Sequence, residues 1–322
     1  MLKMRAKRYG SRTGNIAFME ISNCETAPFC IFSIWVHRMS QGVMHMRCAW
    51  SEFLNLLPFW MRCEVDPIGK QTLLDLRIRL GNKPLLTFKN KEIALSRACD
   101  KEDISFIVNT ASHFSPWAVT SVQYGYLTAP GGHRIGICGE MAPSGQSMRS
   151  VSSLCIRVAR DFPGISQGIP MANHSVLIIG SPGNGKTTLL RDLIRHRSET
   201  QPGSIAVLDE RGELFPFSNG SPCFPAGIHT DILTNCSKKT GVINLIRTMG
   251  PSCIAVDEIT QEEDCLALLH AGWSGVTLLA TAHAKSKNDL LTRPIYRPIV
   301  EKKLFDTLVI LNPDKSWTTE RM

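Results

Sequence analysis

Eight consecutive residues, Gly180-Ser181-Pro182-Gly183-Asn184-Gly185-Lys186-Thr187, read G-x-x-x-x-G-K-T, the pattern of a phosphate-cradling loop. Its glycines let backbone N–H groups turn inward on an anion, and a helix starting at its end adds positive potential. In that chemistry Lys186 reaches the β- and γ-phosphates of ATP, and Thr187 ligates Mg²⁺. Gly180 through Thr187, with Thr188 beside them, are therefore the expected nucleotide-binding residues. A second set lies downstream, where Cys253-Ile254-Ala255-Val256-Asp257-Glu258 is an apolar run closed by two carboxylates. At a strand end beside the loop, Asp257 would join the Mg²⁺ shell and Glu258 would polarise a water for in-line attack. Neighbours on a strand leave on opposite faces, so twist at the strand end must bring both to the nucleotide.

Other groups gather around these two. Asp209-Glu210-Arg211-Gly212-Glu213 follows an apolar run, and strand ends collect at one sheet edge. Glu210 or Glu213 could share water activation with Glu258; alternatively they pair with Arg211. His283, in Thr281-Ala282-His283, could sense the γ-phosphate or be a satisfied buried histidine. The expected catalytic set is Glu258, Lys186, His283 and Glu210. Arg247 and Arg293 are candidates for an arginine finger, or ordinary surface arginines.

These residues need elements that position them. Val176 to Ile179 is apolar and β-branched, and Thr188 to Arg195 repeats apolar residues at helical spacing. Strands are expected at about 175–179, 204–208, 253–257, 276–281 and 307–311. Helices are expected at about 186–197, 237–249, 261–271 and 295–304. Such alternation predicts an α/β fold with a parallel sheet covered on both faces, of the P-loop NTPase (RecA/AAA-like) type. This domain spans 161–322, entered through the breaker Asp161-Phe162-Pro163-Gly164.

Residues 51–160 read as a smaller mixed α/β domain. Leu76, Ile78 and Leu80 alternate with Asp75, Arg77 and Arg79, which predicts a half-buried strand. Gly81-Asn82-Lys83-Pro84 turns it into a second strand at 85–88. A helix is expected from Lys101 to Phe114. A second hairpin joins Tyr124–Leu127 to His133–Cys138 across Ala129-Pro130-Gly131-Gly132. Ser153 to Arg160 is a further strand, read either as a basic edge offered to a neighbouring subunit's nucleotide or as a solvated face. Residues 1–50 fit no element and read as a tail or extension.

The chain has 322 residues, 43% hydrophobic and 20% charged, which is globular rather than disordered. No apolar run reaches the roughly 20 residues that span a bilayer. Eleven cysteines occur without a C-x-x-C pair, so stable disulfides are not expected and a reducing compartment is. The net charge of +8 is uneven. Residues 1–60 hold seven Lys or Arg against three Asp or Glu, residues 61–160 thirteen against eight, and residues 161–322 sixteen against seventeen. The basic half either meets an acidic partner, such as a membrane surface or nucleic acid, or is simply solvated.

Several stretches in order resemble the stage III sporulation protein AA family over about residues 65–312. They are Tyr126 to Gly136, Leu154 to Arg160, Gly183 to Asp192, Asp209-Glu210-Arg211, Ala255 to Ile259 and Ala280 to His283. The resemblance implies a cytoplasmic ATPase similar to type II and type IV pilus secretion ATPases. It implies a homo-oligomer, plausibly a hexameric ring, peripherally associated with a membrane channel of the sporulation complex between mother cell and forespore. Where the family carries Gly-Arg after Asp-Glu-Ile, this chain has Thr260-Gln261. The rival reading is a nucleotide-gated switch that binds nucleic acid through its basic amino-terminal half.

Overall fold

The computed structural model describes residues 46–112, 125–142, 148–171, 173–218 and 220–322. All belong to one compact unit, Met44–Met322, which contains two large sheets. The expected tail, the end of the 101–114 helix and Tyr124 lie wholly or largely outside the described residues.

The first sheet begins after two short helices, α1 (Trp50–Asn55) and α2 (Phe59–Val65). It comprises β1 (Asp75–Arg79), β2 (Leu85–Thr87) and β3 (Glu92–Ala94), then helix α3 (Lys101–Ala111), then β4 (Tyr126–Thr128), β5 (Arg134–Met141) and β6 (Met148–Arg157). The order is β3-β2-β1-β6-β5-β4, antiparallel throughout. Leu76 and Ile78 point inward and are fully buried with Phe53, Met61, Ile107, Ile135 and Ile156. Leu80 lies beyond β1 and is 36% exposed. A reciprocal capping box between Asp100 and Asp103 starts α3. The strand expected to offer a basic edge is β6, and it is no edge: β1 and β5 pair with it on both sides. Arg160 falls past its end and donates to the Lys70 carbonyl at 2.7 Å.

The second sheet begins with β7 (Val176–Gly180), followed by helix α4 (Lys186–Thr200) and β8 (Ile205–Asp209). A small hairpin, β9 (Phe217–Ser218) and β10 (Ser221–Pro222), precedes β11 (Thr230–Thr234). Then come α5 (Lys238–Met249), β12 (Cys253–Ile259), α6 (Glu262–Trp273) and β13 (Thr277–Ala282). The chain ends with α7 (Lys287–Thr292), α8 (Arg297–Glu301), β14 (Thr307–Leu311) and β15 (Trp317–Arg321). The order is β11-β8-β12-β13-β7-β14-β15, parallel except for β15. Alternate residues feed two cores. Val176, Ile178, Val207 and Ala255 pack with Leu190 and Leu193 of α4, while Leu177, Ile179, Leu208 and Val256 pack with Val242 of α5 and Leu268 of α6. This is the P-loop α/β architecture. The single helix expected at 295–304 is instead a 3₁₀ turn, Pro294–Tyr296, followed by α8. Both Pro294 and Pro298 sit where a first helical turn tolerates a missing N–H.

The segment at Asp161 is tied down. Asp161 and Arg47 exchange backbone hydrogen bonds of 2.9 Å in both directions. The buried Asp161 carboxylate accepts from Arg195 of α4 at 2.6 Å. Asp192, also on α4, accepts from the N–H groups of Gly164 at 2.9 Å and Ser166 at 2.7 Å. The helix that follows the phosphate loop therefore holds the segment joining the two sheets.

Candidate functional site

Parallel strands deliver their carboxyl ends to one edge, and the chemistry-bearing residues meet there. Between β7 and α4 the loop turns through Gly183 (φ +76°) and Gly185 (φ +98°). These are left-handed conformations that side chains resist. No atom lies within 4 Å of where a Gly183 Cβ would stand, so backbone conformation, not crowding, calls for glycine there. Asn184 anchors the loop by donating to the Leu311 carbonyl at 3.0 Å, and Lys315 donates to the Gly183 carbonyl. Pro182 and Gly183 form the exposed crown, and Thr188 is half-buried in the first turn of α4.

Lys186 is buried. Its ammonium reaches the carbonyls of Gly180 at 2.9 Å and Ser181 at 3.1 Å, and Nδ1 of His283 at 3.0 Å. An ammonium only donates, so His283 Nδ1 accepts. The His283 proton therefore sits on Nε2, which donates to Glu258 Oε1 at 2.8 Å. Lys186, His283 and Glu258 form one continuous chain. Burial pushes the Lys186 ammonium below its ordinary range, against the pull of Asp257 and Glu258.

Asp257 and Glu258 reach the same site by a bulge rather than by twist alone. The β12–β13 register slips between Val256 and Ile259, and Glu258 adopts φ +56°. Such backbone costs a non-glycine residue about 1–2 kcal/mol and clusters at functional sites. The buried Thr281 side chain holds it: its hydroxyl accepts from the Glu258 N–H at 2.8 Å and donates to Asp257 Oδ1 at 2.5 Å. Asp257 Oδ2 accepts from the Thr187 hydroxyl at 2.8 Å. Hydroxyl and carboxylate facing each other make an all-oxygen donor pair, which fits Mg²⁺, an ion that keeps most of its waters.

Glu258 also accepts from Arg211 Nη1, through Oε2, at 2.7 Å. Burial alone would raise its carboxyl; the His283 hydrogen bond and the Arg211 charge outweigh it and hold the carboxyl below its ordinary range.

Other expected residues go elsewhere. Glu210 is engaged by the buried Lys238 at 2.5 Å, which also lies 3.8 Å from Asp264. Glu213 pairs with Arg134 of β5. Arg293 is held by both oxygens of Asp289, at 2.9 and 3.1 Å. Arg247 is exposed in the last turn of α5, toward the opposite sheet edge. Two participants escaped the sequence reading as site residues: Thr281 and Arg211. The signal for Arg211 was its place directly after Asp209-Glu210.

The model of the family described as sporulation stage III, protein AA, matches residues 56–320. The chain belongs to this family. It is 33% identical over 283 residues to the stage III sporulation protein AA of Bacillus subtilis (strain 168), covering 82% of this chain and 92% of that protein. Among solved structures, the pilus retraction motor PilT with bound ADP superposes with a TM-score of 0.57 at 13% identity, over 79% of this chain and 78% of that one. The Legionella pneumophila ATPase DotB superposes with a TM-score of 0.51 at 15% identity, over 81% and 78%. At such identities the likeness is one of fold. In this stage III sporulation protein AA family member the matched span contains the loop, the bulged β12 and His283. Among the described residues no helix is long and apolar enough to cross a membrane.

Proposed function

We propose that this protein is an ATP-hydrolysing P-loop motor that energises a membrane-associated assembly in sporulation. The observation that carries the reading is the unbroken chain from Lys186 through His283 to Glu258. It links the loop that would bind phosphate to the carboxylate that would activate water. Gly180 to Thr188 cradle the triphosphate, and Lys186 exchanges its carbonyl and His283 acceptors for phosphate oxygens. Glu258, ionised by its neighbours, accepts the proton of the attacking water. Thr187 and Asp257 would hold Mg²⁺, whose charge would help neutralise the phosphate. The displacement of Lys186 from His283 gives the site a way to register an arriving γ-phosphate.

Family membership and the fold support the wider reading of a cytoplasmic ring, plausibly hexameric, docked peripherally on channel proteins. The division into a small domain before Asp161 and an ATPase domain after it belongs to the same proposal. The test is ATP affinity by titration and turnover by phosphate release on the parent and on Glu258→Gln. The variant should bind like the parent and turn over about 10²–10⁴-fold more slowly, the range of general-base contributions. Turnover near that of the parent would move the base elsewhere. Specific activity rising with protein concentration would support assembly at the interface.

A second reading, a nucleotide-gated switch on nucleic acid, is favoured by Arg77, Arg79 and Arg157, exposed on the open face of the first sheet. Steeply salt-dependent binding to DNA or RNA would support it.

A further inference from the structure

Arg211 stands on the turn after β8, and Asp209 shapes that turn. Its Oδ1 accepts from the Glu213 N–H at 2.9 Å and its Oδ2 from the Phe215 N–H at 2.8 Å. Gly212 closes the turn at φ +63° by donating to the Asp209 carbonyl at 3.2 Å. The Asp209 carboxylate is buried, so the turn is held from beneath. Two side chains leave it in different directions. Glu210 goes to Lys238. Arg211 crosses to β12 and grips Glu258 at the oxygen opposite His283.

The Arg211 side chain is 54% exposed and borders a cleft of about 220 Å³ shared with Tyr126 and Thr128 of β4 and with Thr234 and Asn235 at the end of β11. An ion pair so exposed adds little to stability. Its geometry is nevertheless specific, because Glu258 is the residue the bulge of β12 turns into the site. Other arginines nearby are committed: Arg134 pairs with Glu213 and lies over the Tyr126 ring, and Arg293 is doubly bonded to Asp289.

We propose that Arg211 is a positioning residue for the base: with His283 it fixes the direction of the Glu258 carboxylate toward the phosphate loop of the same protomer. This rests on the reading of Glu258 as the base. A glutamate side chain has three rotatable bonds, and a carboxylate held at both oxygens loses most of that freedom before substrate arrives.

The test uses the full chain carrying Arg211→Gln, Arg211→Lys or Glu258→Gln. In Arg211→Gln, kcat should fall about tenfold or more while KM stays within about threefold, the pattern of a lost transition-state contribution. Arg211→Lys keeps the charge without the fork, so it should restore only part of kcat and leave KM unchanged. An unchanged kcat, a KM raised by more than about threefold, or a kcat loss that merely tracks a lowered unfolding midpoint overturns the proposal. If Glu258→Gln is still a hundredfold slow in those assays, only the role of Arg211 falls. If Glu258→Gln turns over like the parent, the base assignment falls and takes this inference with it.

Discussion

Lys186 Nζ and His283 Nδ1 lie 3.0 Å apart, one on the phosphate loop and the other just past β13. The lysine places one of its three protons on the histidine and the others on two loop carbonyls. All three lysine donors are thus satisfied before any phosphate enters the loop.

Removing that contact separates sensing from binding. We predict that His283→Ala binds ATP within about threefold of the parent, because phosphate replaces the lost acceptor. It should hydrolyse ATP at least about tenfold more slowly, because Glu258 loses a charge-assisted hydrogen bond. Titration and phosphate release measure the two effects. Equal losses in both would make His283 a binding residue instead.

Lys186→Ala should weaken ATP binding tenfold to a hundredfold. A hydrogen bond to a charged group contributes about 1.5–3 kcal/mol. Unchanged affinity would refute the assignment of the loop.

Thr281→Val keeps the branched shape of a fully buried residue and removes the hydroxyl between Asp257 and the Glu258 N–H. Leaving these partners unpaired costs about 1–3 kcal/mol, so the unfolding free energy measured by denaturant should fall by up to that amount. Turnover should fall as well, since nothing then holds the left-handed Glu258 backbone. A variant with parental stability and rate would show that the bulge holds itself.

Asp192 should contribute to acid sensitivity. Burial acts to raise its carboxyl, but bonds from Ser166, Arg195 and Gly164 hold it below the ordinary 3.8. A carboxyl lowered in the folded state stabilises above its unfolded value and loses that contribution as pH falls through the folded one. Stability measured by denaturant from pH 6 down to about 2 should therefore drop less steeply below pH 4 in Asp192→Asn than in the parent. Parallel curves would remove Asp192 from the acid transition.

Asp161→Ala should be the most damaging change to the fold. It removes the carboxylate from buried Arg191 and leaves buried Arg195 with Asp192 alone. Breaking a buried pair from one side costs about 3–5 kcal/mol. Unfolding by denaturant would register this, and a loss under about 1 kcal/mol would mean that Asp192 compensates.

The amino-acid sequence by itself determined whatever depends on local pattern. The loop spacing, the apolar runs of β7, β8, β12, β13 and β14, and the helices α4, α5 and α6 are local signals, because a buried parallel strand must be apolar on both faces and an amphipathic helix repeats its apolar residues at helical spacing. Strands at a sheet edge escape that requirement. Thr230–Thr234 is half-exposed along its length and Trp317–Arg321 largely polar, so β11 and β15 left no such trace. The Leu76–Ile78 alternation likewise marked one buried face. It could not show that β6 lies inside the sheet, because strand order is set by long-range pairing. The tertiary structure alone decided which carboxylates share the site. Asp209, Glu210, Glu213, Asp257 and Glu258 look alike in the sequence. Lys238 takes Glu210 and Arg134 takes Glu213, while one extra residue in β12 turns Glu258 to His283 and Arg211. A bulge is a mismatch between two paired strands, so it exists only once both strands are in place.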